Sequence, residues 1–354
     1  MRIAQVAPLY ESVPPAKYGG TERIVSYLTE ELVRQGHQVT LFASGDSHTR
    51  ARLISPCERS VRLDAESRDP LASHMAMIEQ VAQLQAEFDI IHFHTNYLHF
   101  SVSKRIATPS LTTLHGRLDL RELPMLFRVF ADVPLVSISM AQRAPLPWLN
   151  WIGMVHHGLP PDLYRYEDAP QDYLAFVGRI SPEKRVDRAI EIAKRVGMTL
   201  RIAAKVDPAD RAYYESEIKP LLDHPLIEYM QEVGDGEKQE LLGKARALLF
   251  PIDWPEPFGI VMLEALACGT PVIAFPCGSV PEVIDPGITG VIVQSIGQAV
   301  EAVKHIGTLR RQKCRDTFDK RFTVARMVRD YMTLYRKLEP CDTDVVKDEV
   351  RQCK

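Results

Sequence analysis

Cysteine is scarce in this sequence and follows no recognisable pattern. Six cysteines are spread over 354 residues, at positions 57, 268, 277, 314, 341 and 353, without a CxxC pair or the spacing of zinc ligands. Disulfide scaffolds and zinc modules place their cysteines at short, regular intervals. The sequence therefore predicts reduced thiols in a cytoplasmic protein, without structural disulfides or a cysteine-held metal.

Long apolar runs and a strong excess of one charge are missing as well. No apolar run approaches the roughly 20 residues of a membrane span. The N-terminus, MRIAQVAPLY, lacks a separate apolar core and cleavage site, so it is predicted to be a first strand rather than a signal peptide. The net charge of -3 predicts no nucleic-acid partner. A peripheral contact with the inner face of a membrane stays open.

What the sequence does contain is a repeated alternation of short apolar strands and helical segments, which predicts parallel sheets. Because single cores rarely exceed roughly 250–300 residues, the 354 residues predict two α/β domains, with a polar linker between 163 and 172. The predicted strands of the first domain lie at 3–7, 38–43, 89–94, 110–114, 133–139 and 154–157. Those of the second lie at 173–178, 200–204, 227–230, 246–251, 271–275 and 290–293.

The most informative stretch is residues 251–269, PIDWPEPFGIVMLEALACG. Its apolar spacing predicts a helix that opens near Phe258 and ends at Gly269. The first-turn N–H groups, around Phe258, Gly259 and Ile260, lack intrahelical partners at the positive end of the helix dipole. Such a helix end binds anions readily, and Gly259 has no side chain to hold a ligand away.

Two carboxylates are predicted to flank this helix end. Glu256 precedes the helix, and Glu264 lies in its second turn with a side chain that leans back toward the N-terminus. Carboxylates accept hydrogen bonds from hydroxyls, so a phosphate with sugar hydroxyls beside it is a coherent ligand. The competing interpretation is that Glu256 merely suits the dipole and that Glu264 is solvated.

A pair of cations precedes another predicted helix. Arg179 ends a strand, and the pattern predicts a helix capped by Ser181, with Pro182 at its first position and Lys184 in its first turn. A cation at this end opposes the dipole, and two cations there repel each other unless an anion lies between them. Arg179 and Lys184 are therefore candidate phosphate ligands, against the alternative of a solvated loop.

The first half contributes weaker signals. Gly19 and Gly20 lie between a strand and a helix, where nucleotide folds place phosphates, but they do not form GxGxxG, and a flexible turn is the alternative. His115 follows the predicted strand 110–114 and precedes a glycine, at the edge where open α/β sheets bind ligands. His92 and His94 share a strand face, and packing with hydrogen bonds is favoured over a metal site because no third ligand is evident.

Two motifs together carry a family resemblance. The segments GRISPEK, residues 178–184, and EPFGIVMLE, residues 256–264, resemble the retaining glycosyltransferases of family 4, also called glycosyl transferases group 1. The Tyr18-Gly-Gly loop and His115-Gly116 resemble elements of the family's N-terminal domain. The similarity covers nearly all of residues 1–338. The sequence departs from many relatives at His157-Gly158, where they carry Asn-Gly, and after His115, where some carry an acidic residue.

The resemblance implies the GT-B fold, with two facing Rossmann-like domains and a cleft between them. It assigns residues 1–165 to an acceptor-side domain, 166–322 to a sugar-nucleotide-binding domain and 323–338 to a helix that crosses back to the first domain. Residues 339–354 are predicted to be a disordered tail, and the Asp342-Thr-Asp344 motif there is interpreted as chance. The stretch 119–130, together with the arginines at 117, 121 and 128, has two interpretations. One is an amphipathic element that binds the acceptor or a membrane surface, and the favoured one is an ordinary solvated helix.

The resemblance also implies metal-independent, retaining transfer of a hexose-type sugar from a nucleoside diphosphate sugar, without a cofactor. The hydroxyl acceptor is unknown and could be a saccharide, a lipid-linked molecule or a small molecule. Arg179 and Lys184 would neutralise the diphosphate, Glu264 would bind the ribose, Glu256 the donor sugar, and His115 would face the anomeric region. The further donor-binding residues would be Gly19, Gly20, Phe258, Gly259 and Ile260. A non-catalytic sugar-nucleotide-binding protein and a sugar-nucleotide epimerase are the alternatives.

Overall fold

Two parallel sheets organise the molecule. The computed structural model describes residues 1–17, 19–62, 64 and 69–339, and the statements below concern these residues. The strands of the first sheet are β1 (Arg2–Val6), β2 (Gln38–Phe42), β3 (Arg52–Ile54), β4 (Ile90–Phe93), β5 (Ser110–Thr113), β6 (Leu135–Ser137) and β7 (Trp151–Met154). Those of the second are β8 (Tyr173–Arg179), β9 (Thr199–Lys205), β10 (Ile227–Gln231), β11 (Ala247–Phe250), β12 (Val272–Ala274) and β13 (Gly290–Ile292).

Helices connect these strands. In the first half they are α1 (Gly20–Arg34), α2 (Pro70–Gln83), α3 (Phe100–Ser103), α4 (Leu123–Val129) and α5 (Met140–Arg143). In the second half they are α6 (Val186–Val196), α7 (Arg211–Tyr213), α8 (Asp235–Gly243), α9 (Ile260–Ala267), α10 (Val280–Val283), α11 (Ile296–His305), α12 (Arg311–Arg321) and α13 (Val324–Leu338). A π-helical turn, Tyr214–Ile218, continues α7.

Both sheets have a doubly wound order. The first runs β3-β2-β1-β4-β5-β6-β7 and the second β10-β9-β8-β11-β12-β13, with parallel pairing throughout the described strands. The strand order reverses beside β1 and β4 in one sheet and beside β8 and β11 in the other, and ligands of such sheets bind beyond the carboxyl ends at these points. The predicted fold of two Rossmann-like domains is confirmed. The boundary at residue 165 stays a prediction.

The strands are short and buried because helices cover both faces of each sheet. In β1 the side chains from Ile3 to Val6 are inaccessible to solvent, and β11 is buried along its whole length. Strands covered on both faces are almost continuously apolar, as the sequence pattern indicates.

The last helix, α13, returns to the first domain. It packs against α1, and Leu334 lies so close to Gly153 in β7 that a Cβ there would stand 2.7 Å from its methyl groups. Tyr335 of α13 accepts a hydrogen bond from Gln5 of β1 over 3.0 Å. The predicted crossing helix is therefore confirmed.

Two local predictions are wrong. The strand predicted at 154–157 lies at Trp151–Met154, because Trp151 and Met154 pair with Leu135 and Ser137 of β6. The helix predicted from Ser181 is interrupted: Pro182–Lys184 forms a 3-10 turn, and Arg185 has a left-handed φ of 54° before α6 begins. Bonds from the Arg185 guanidinium to Asp187 and Asp253 hold this break in place.

Candidate functional site

A cavity of about 560 Å³ lies between the carboxyl ends of the two sheets. Residues from the loops that follow β1, β4 and β5 line it on one side, and residues from β8, β9 and β11 line it on the other. Every residue proposed from the sequence for the site lines it: Gly19, Gly20, His115, Arg179, Lys184, Glu256, Phe258, Gly259, Ile260 and Glu264. The structure thus brings together side chains that lie up to 245 positions apart, from Gly19 to Glu264.

The first-turn end of α9 opens into this cavity. Gly259 caps the helix with a φ of 77°, and a Cβ there would stand 2.8 Å from Met262 and 3.1 Å from the Phe250 ring. Glycine is therefore required both by the left-handed backbone and by the lack of space. Across the cleft, a Cβ on Gly20 would contact the Ile260 side chain at 3.5 Å, so the starts of α1 and α9 face each other.

Lys184 forms an ion pair with Glu256 at the centre of the site. Its ammonium contacts Glu256 Oε2, and it also lies 5.1 Å from the Trp254 ring centre and 5.8 Å from that of Phe250. Trp254 Nε1 donates to the same carboxylate oxygen over 3.1 Å. The side chains of Lys184 and Glu256 are 19% and 11% exposed, so the pair is largely shielded from water yet borders the cavity.

Arg179 extends from the end of β8 into a group of carboxylates. It bonds to Glu183 and lies 3.5 Å from Asp207 and 3.4 Å from Asp210. Burial opposes ionisation of Asp207, but the hydrogen bond and charge of Lys205, with a smaller contribution from the Arg179 charge, lower the pKa of Asp207. Carboxylates from neighbouring loops therefore balance the charges of both Arg179 and Lys184, and their role as phosphate ligands stays a prediction.

Glu264 is buried rather than solvated. Its Oε1 accepts hydrogen bonds from Lys238 Nζ at 2.8 Å and from the Tyr164 hydroxyl at 3.0 Å. Lys238 also lies 3.4 Å from Asp235, which in turn receives a 2.7 Å bond from Arg23 of α1. The carboxylate is thus oriented by a chain of polar contacts that reaches across the cleft.

His115 lies at the end of β5 and is surrounded by other histidines. Its Nε2 is 2.9 Å from His94 Nδ1, and its ring stacks on that of His157 with centroids 5.3 Å apart. Burial lowers the pKa of His115 to about 3 and lowers the pKa values of His94 and His157 well below their usual range. These imidazoles are therefore neutral near pH 7.

The preference for packing over metal binding at His92 and His94 is supported by their contacts. His92 bonds to Tyr335 and Thr113, and His94 bonds to Gln5 and His115. Among the described residues, no group of three or more His, Cys, Asp or Glu side chains is arranged to hold a metal ion.

Several cavity residues were not predicted from the sequence. They line the cavity or orient residues that do: Arg23, Glu22, His157, Tyr164, Lys205, Lys238 and Trp254. Two of them carried a signal: Trp254 stands two positions before Glu256, and His157 belongs to the His157-Gly158 pair at which the sequence departs from many relatives. The others come from separate elements, and nothing local in the sequence marks them.

The stretch predicted at 119–130 is only partly helical. Helix α4 spans Leu123–Val129, with Leu123 and Phe127 packed inward. Met125 and Val129 are 72% and 67% exposed on its other face. In the described part of the chain no helix is both long and apolar enough to span a membrane. The predicted tail lies outside the described residues except for Glu339, and so does Tyr18.

Comparison with known proteins identifies the family. A model described as "Glycosyltransferase Family 4" matches residues 18–163, and one described as "Glycosyl transferases group 1" matches residues 166–320. This chain belongs to the group 1 glycosyltransferases. Together the two matches cover every strand of both sheets except β1 and all ten site residues proposed from the sequence, so the resemblance inferred from the sequence motifs is confirmed.

Individual relatives of this group 1 glycosyltransferase are consistent with the family assignment. Alpha-maltose-1-phosphate synthase of Mycobacterium tuberculosis is 27% identical over 94% of this chain and 99% of its own length. D-inositol 3-phosphate glycosyltransferase of Mycobacterium bovis is 30% identical, over only 44% of this chain and 36% of its own.

Solved structures share the fold. Sucrose-phosphate synthase from Thermosynechococcus elongatus superposes with a TM-score of 0.78 at 18% identity, covering 96% of this chain and 99% of that one. AviGT4, a glycosyltransferase involved in avilamycin A biosynthesis, gives 0.73 at 23% identity, covering 96% and 98%. Anabaena HepE in complex with UDP and glucose gives 0.74 at 18% identity, covering 96% and 100%. The two-domain GT-B fold follows from these matches.

Proposed function

We propose that this group 1 glycosyltransferase transfers a hexose-type sugar from a nucleoside diphosphate sugar to a hydroxyl acceptor, with retention of anomeric configuration and without a metal ion. Membership in the family supports a nucleotide-sugar donor, as do the neighbours solved with UDP and UDP-glucose. The retaining course, the independence from metal and the choice of a hexose are our own inferences.

The observation that carries the proposal is the convergence of charge in one cavity. Arg179 and Lys184 border it with the start of α9, while Glu256 and Glu264 lie on either side. A diphosphate fits the cations and the helix end, and the carboxylates suit the hydroxyls of the donor sugar and of the ribose. Lys238 and Tyr164 fix the position of the Glu264 carboxylate before a ligand arrives.

The same groups act on the reaction itself. As the glycosidic bond breaks, negative charge grows on the leaving diphosphate, and fixed cations and amides stabilise it increasingly. One such preorganised donor is worth roughly 3–4 kcal/mol in comparable sites. The cationic side chains of Arg179 and Lys184 supply this stabilisation without a divalent ion.

Retention follows in this proposal from attack on the face that the leaving group vacates. The acceptor hydroxyl approaches beside the departing phosphate, whose oxygen takes the acceptor's proton. A double displacement would instead need a free carboxylate at the anomeric carbon. Glu256 is engaged by Lys184 and Trp254, which favours a binding role toward sugar hydroxyls over a nucleophilic one.

The test is a donor panel with the full chain. Thermal shifts with UDP, GDP and ADP select the base, and the matching sugar nucleotides are then assayed with saccharide and polyol acceptors, with and without EDTA. We expect release of the diphosphate, a product that keeps the donor's anomeric configuration by NMR, and no loss with EDTA. Saturable binding without any product would favour a binding protein, and conversion of donor without acceptor would favour an epimerase.

A further inference from the structure

A continuous chain of buried hydrogen bonds leads from His115 to the crossing helix. His94 Nδ1 meets His115 Nε2 at 2.9 Å, and His94 Nε2 lies 2.8 Å from the Gln5 carbonyl oxygen. The Gln5 amide nitrogen then donates to the Tyr335 hydroxyl at 3.0 Å, and that hydroxyl is 2.8 Å from His92 Nδ1. Gln5, His92, His94 and Tyr335 are at most 2% exposed, so water does not complete any of these bonds.

The orientation of the Gln5 amide determines which atom donates the proton in each of these hydrogen bonds. Histidine nitrogens and hydroxyls reverse roles by moving or rotating a proton, but the two ends of an amide differ chemically. With its oxygen toward His94, Gln5 requires a proton on His94 Nε2. Neutral His94 then presents a bare Nδ1, and His115 must donate from Nε2. His115 Nδ1 is consequently left unprotonated.

One further observation favours this orientation of the Gln5 amide. His115 Nδ1 is buried and has no hydrogen-bond partner among the described residues. With the Gln5 amide reversed, this atom would be an N–H without an acceptor, and orphaned buried N–H groups are rarer than unpaired acceptors.

We propose that Gln5, His94 and Tyr335 are positioning residues that hold His115 as the tautomer protonated at Nε2 and fix its ring at the wall of the cavity. The Nε2 proton is held in the bond to His94, so His115 supplies no proton to the leaving group. The statement about the leaving group rests on the proposed function, whereas the tautomer does not. The crossing helix thereby contributes to the site without touching it.

The decisive measurement is made on the full chain without substrate. Long-range ¹H–¹⁵N spectra of protein with ¹⁵N-labelled histidine distinguish protonated from bare ring nitrogens, and a His115→Gln sample identifies the His115 signals among those of the 11 histidines. We expect a protonated Nε2 and a bare Nδ1. The opposite tautomer in the unmodified protein would overturn the proposal, whatever reaction the protein catalyses.

Two tyrosines of the same helix give a matched pair. Tyr335→Phe removes the hydroxyl that holds the Gln5 amide, and we expect a mixed His115 tautomer with a kcat lowered about threefold to tenfold, the effect of one neutral hydrogen bond. Tyr331 bonds instead to the Thr113 hydroxyl, at 2.9 Å. In the series of hydrogen bonds, Thr113 lies on the other side of His92 from Gln5. Tyr331→Phe should leave the His115 spectrum unchanged. An unchanged spectrum in Tyr335→Phe, or equal changes in both variants, would refute the role of Gln5.

Discussion

Replacement of Lys184 by alanine is the most direct test of the proposed site. The Lys184 side chain is 19% exposed, and its ammonium group pairs with Glu256 and lies against two aromatic rings, so it is fixed before any ligand binds. Its removal deletes one preorganised cation from the position where diphosphate charge grows. Losses of roughly 3–4 kcal/mol for such a donor correspond to a kcat lowered by about 10²- to 10³-fold.

The same change has a limited effect on the fold. Without Lys184, the Glu256 carboxylate keeps the 3.1 Å bond from Trp254 and borders the cavity, so water reaches it. We expect a loss of about 1–2 kcal/mol in the free energy of unfolding, which lowers the melting temperature by only a few degrees. In this variant the expected loss of activity is therefore much larger than the expected loss of stability.

The assay is release of nucleoside diphosphate at saturating donor, with Lys194→Ala as the matched control. Lys194 is an exposed lysine of α6 outside the cavity, so its loss removes the same charge without touching the site. A kcat for Lys184→Ala within about threefold of the unmodified enzyme would refute the reasoning, because a preorganised phosphate ligand cannot be that dispensable.

Two further variants probe the carboxylates of the cavity. Glu264→Gln should weaken nucleotide binding about 10- to 100-fold by calorimetry, since the ribose hydroxyls would lose a charged acceptor, whereas Glu191→Gln on the exposed face of α6 should not. Burial raises the pKa of Glu22 from 4.5 to about 7, so its contribution to stability is present below pH 4.5 and is lost as the pH rises to 7. The difference in free energy of unfolding between Glu22→Gln and the unmodified protein should therefore shift in favour of the variant by on the order of 2–3 kcal/mol as the pH rises from 5 to 7.5. Urea titrations measure this difference, and a value that does not change with pH would contradict the prediction.

The chemistry of the site could be predicted because it is concentrated in short segments. Arg179 and Lys184 lie five positions apart, and Glu256, Gly259 and Glu264 fall within nine residues. In each case a strand end, a turn and a helix start follow in order, so local patterns determine which groups gather at one edge.

What could not be predicted depends on contacts between distant segments. Glu264 receives its bonds from Lys238 and from Tyr164, 26 and 100 positions away. The carboxylates around Arg179 come partly from Asp207 and Asp210, in the loop after β9. These distant residues orient Glu264 and balance the charge of Arg179. The local motifs show only that a carboxylate and a cation are present, not what holds each one in position.

Helix α12 was also missed, for a related reason. It is a polar segment with few buried apolar side chains, so it lacks a helical hydrophobic pattern. Its position is fixed instead by arginines: Arg311 donates to the carbonyls of Glu167, Gly243 and Ala245. Those carbonyl partners come from segments 66 to 144 positions away and leave no trace in the local sequence.

The carboxylates that accompany Arg179 and Lys184 bear on which anion the site would accept. The contacts from Arg179 to Asp207 and Asp210, at 3.5 and 3.4 Å, are partly exposed, and such pairs are worth about 0–1 kcal/mol each. An anion that reaches only one cation therefore gains little over the carboxylates already there. A diphosphate presents two linked groups and can engage both cations and the start of α9 without a second loss of binding entropy. The site therefore favours a nucleoside diphosphate over a monophosphate. Only the longer anion can replace the carboxylate partners of Arg179 and of Lys184 in a single binding event.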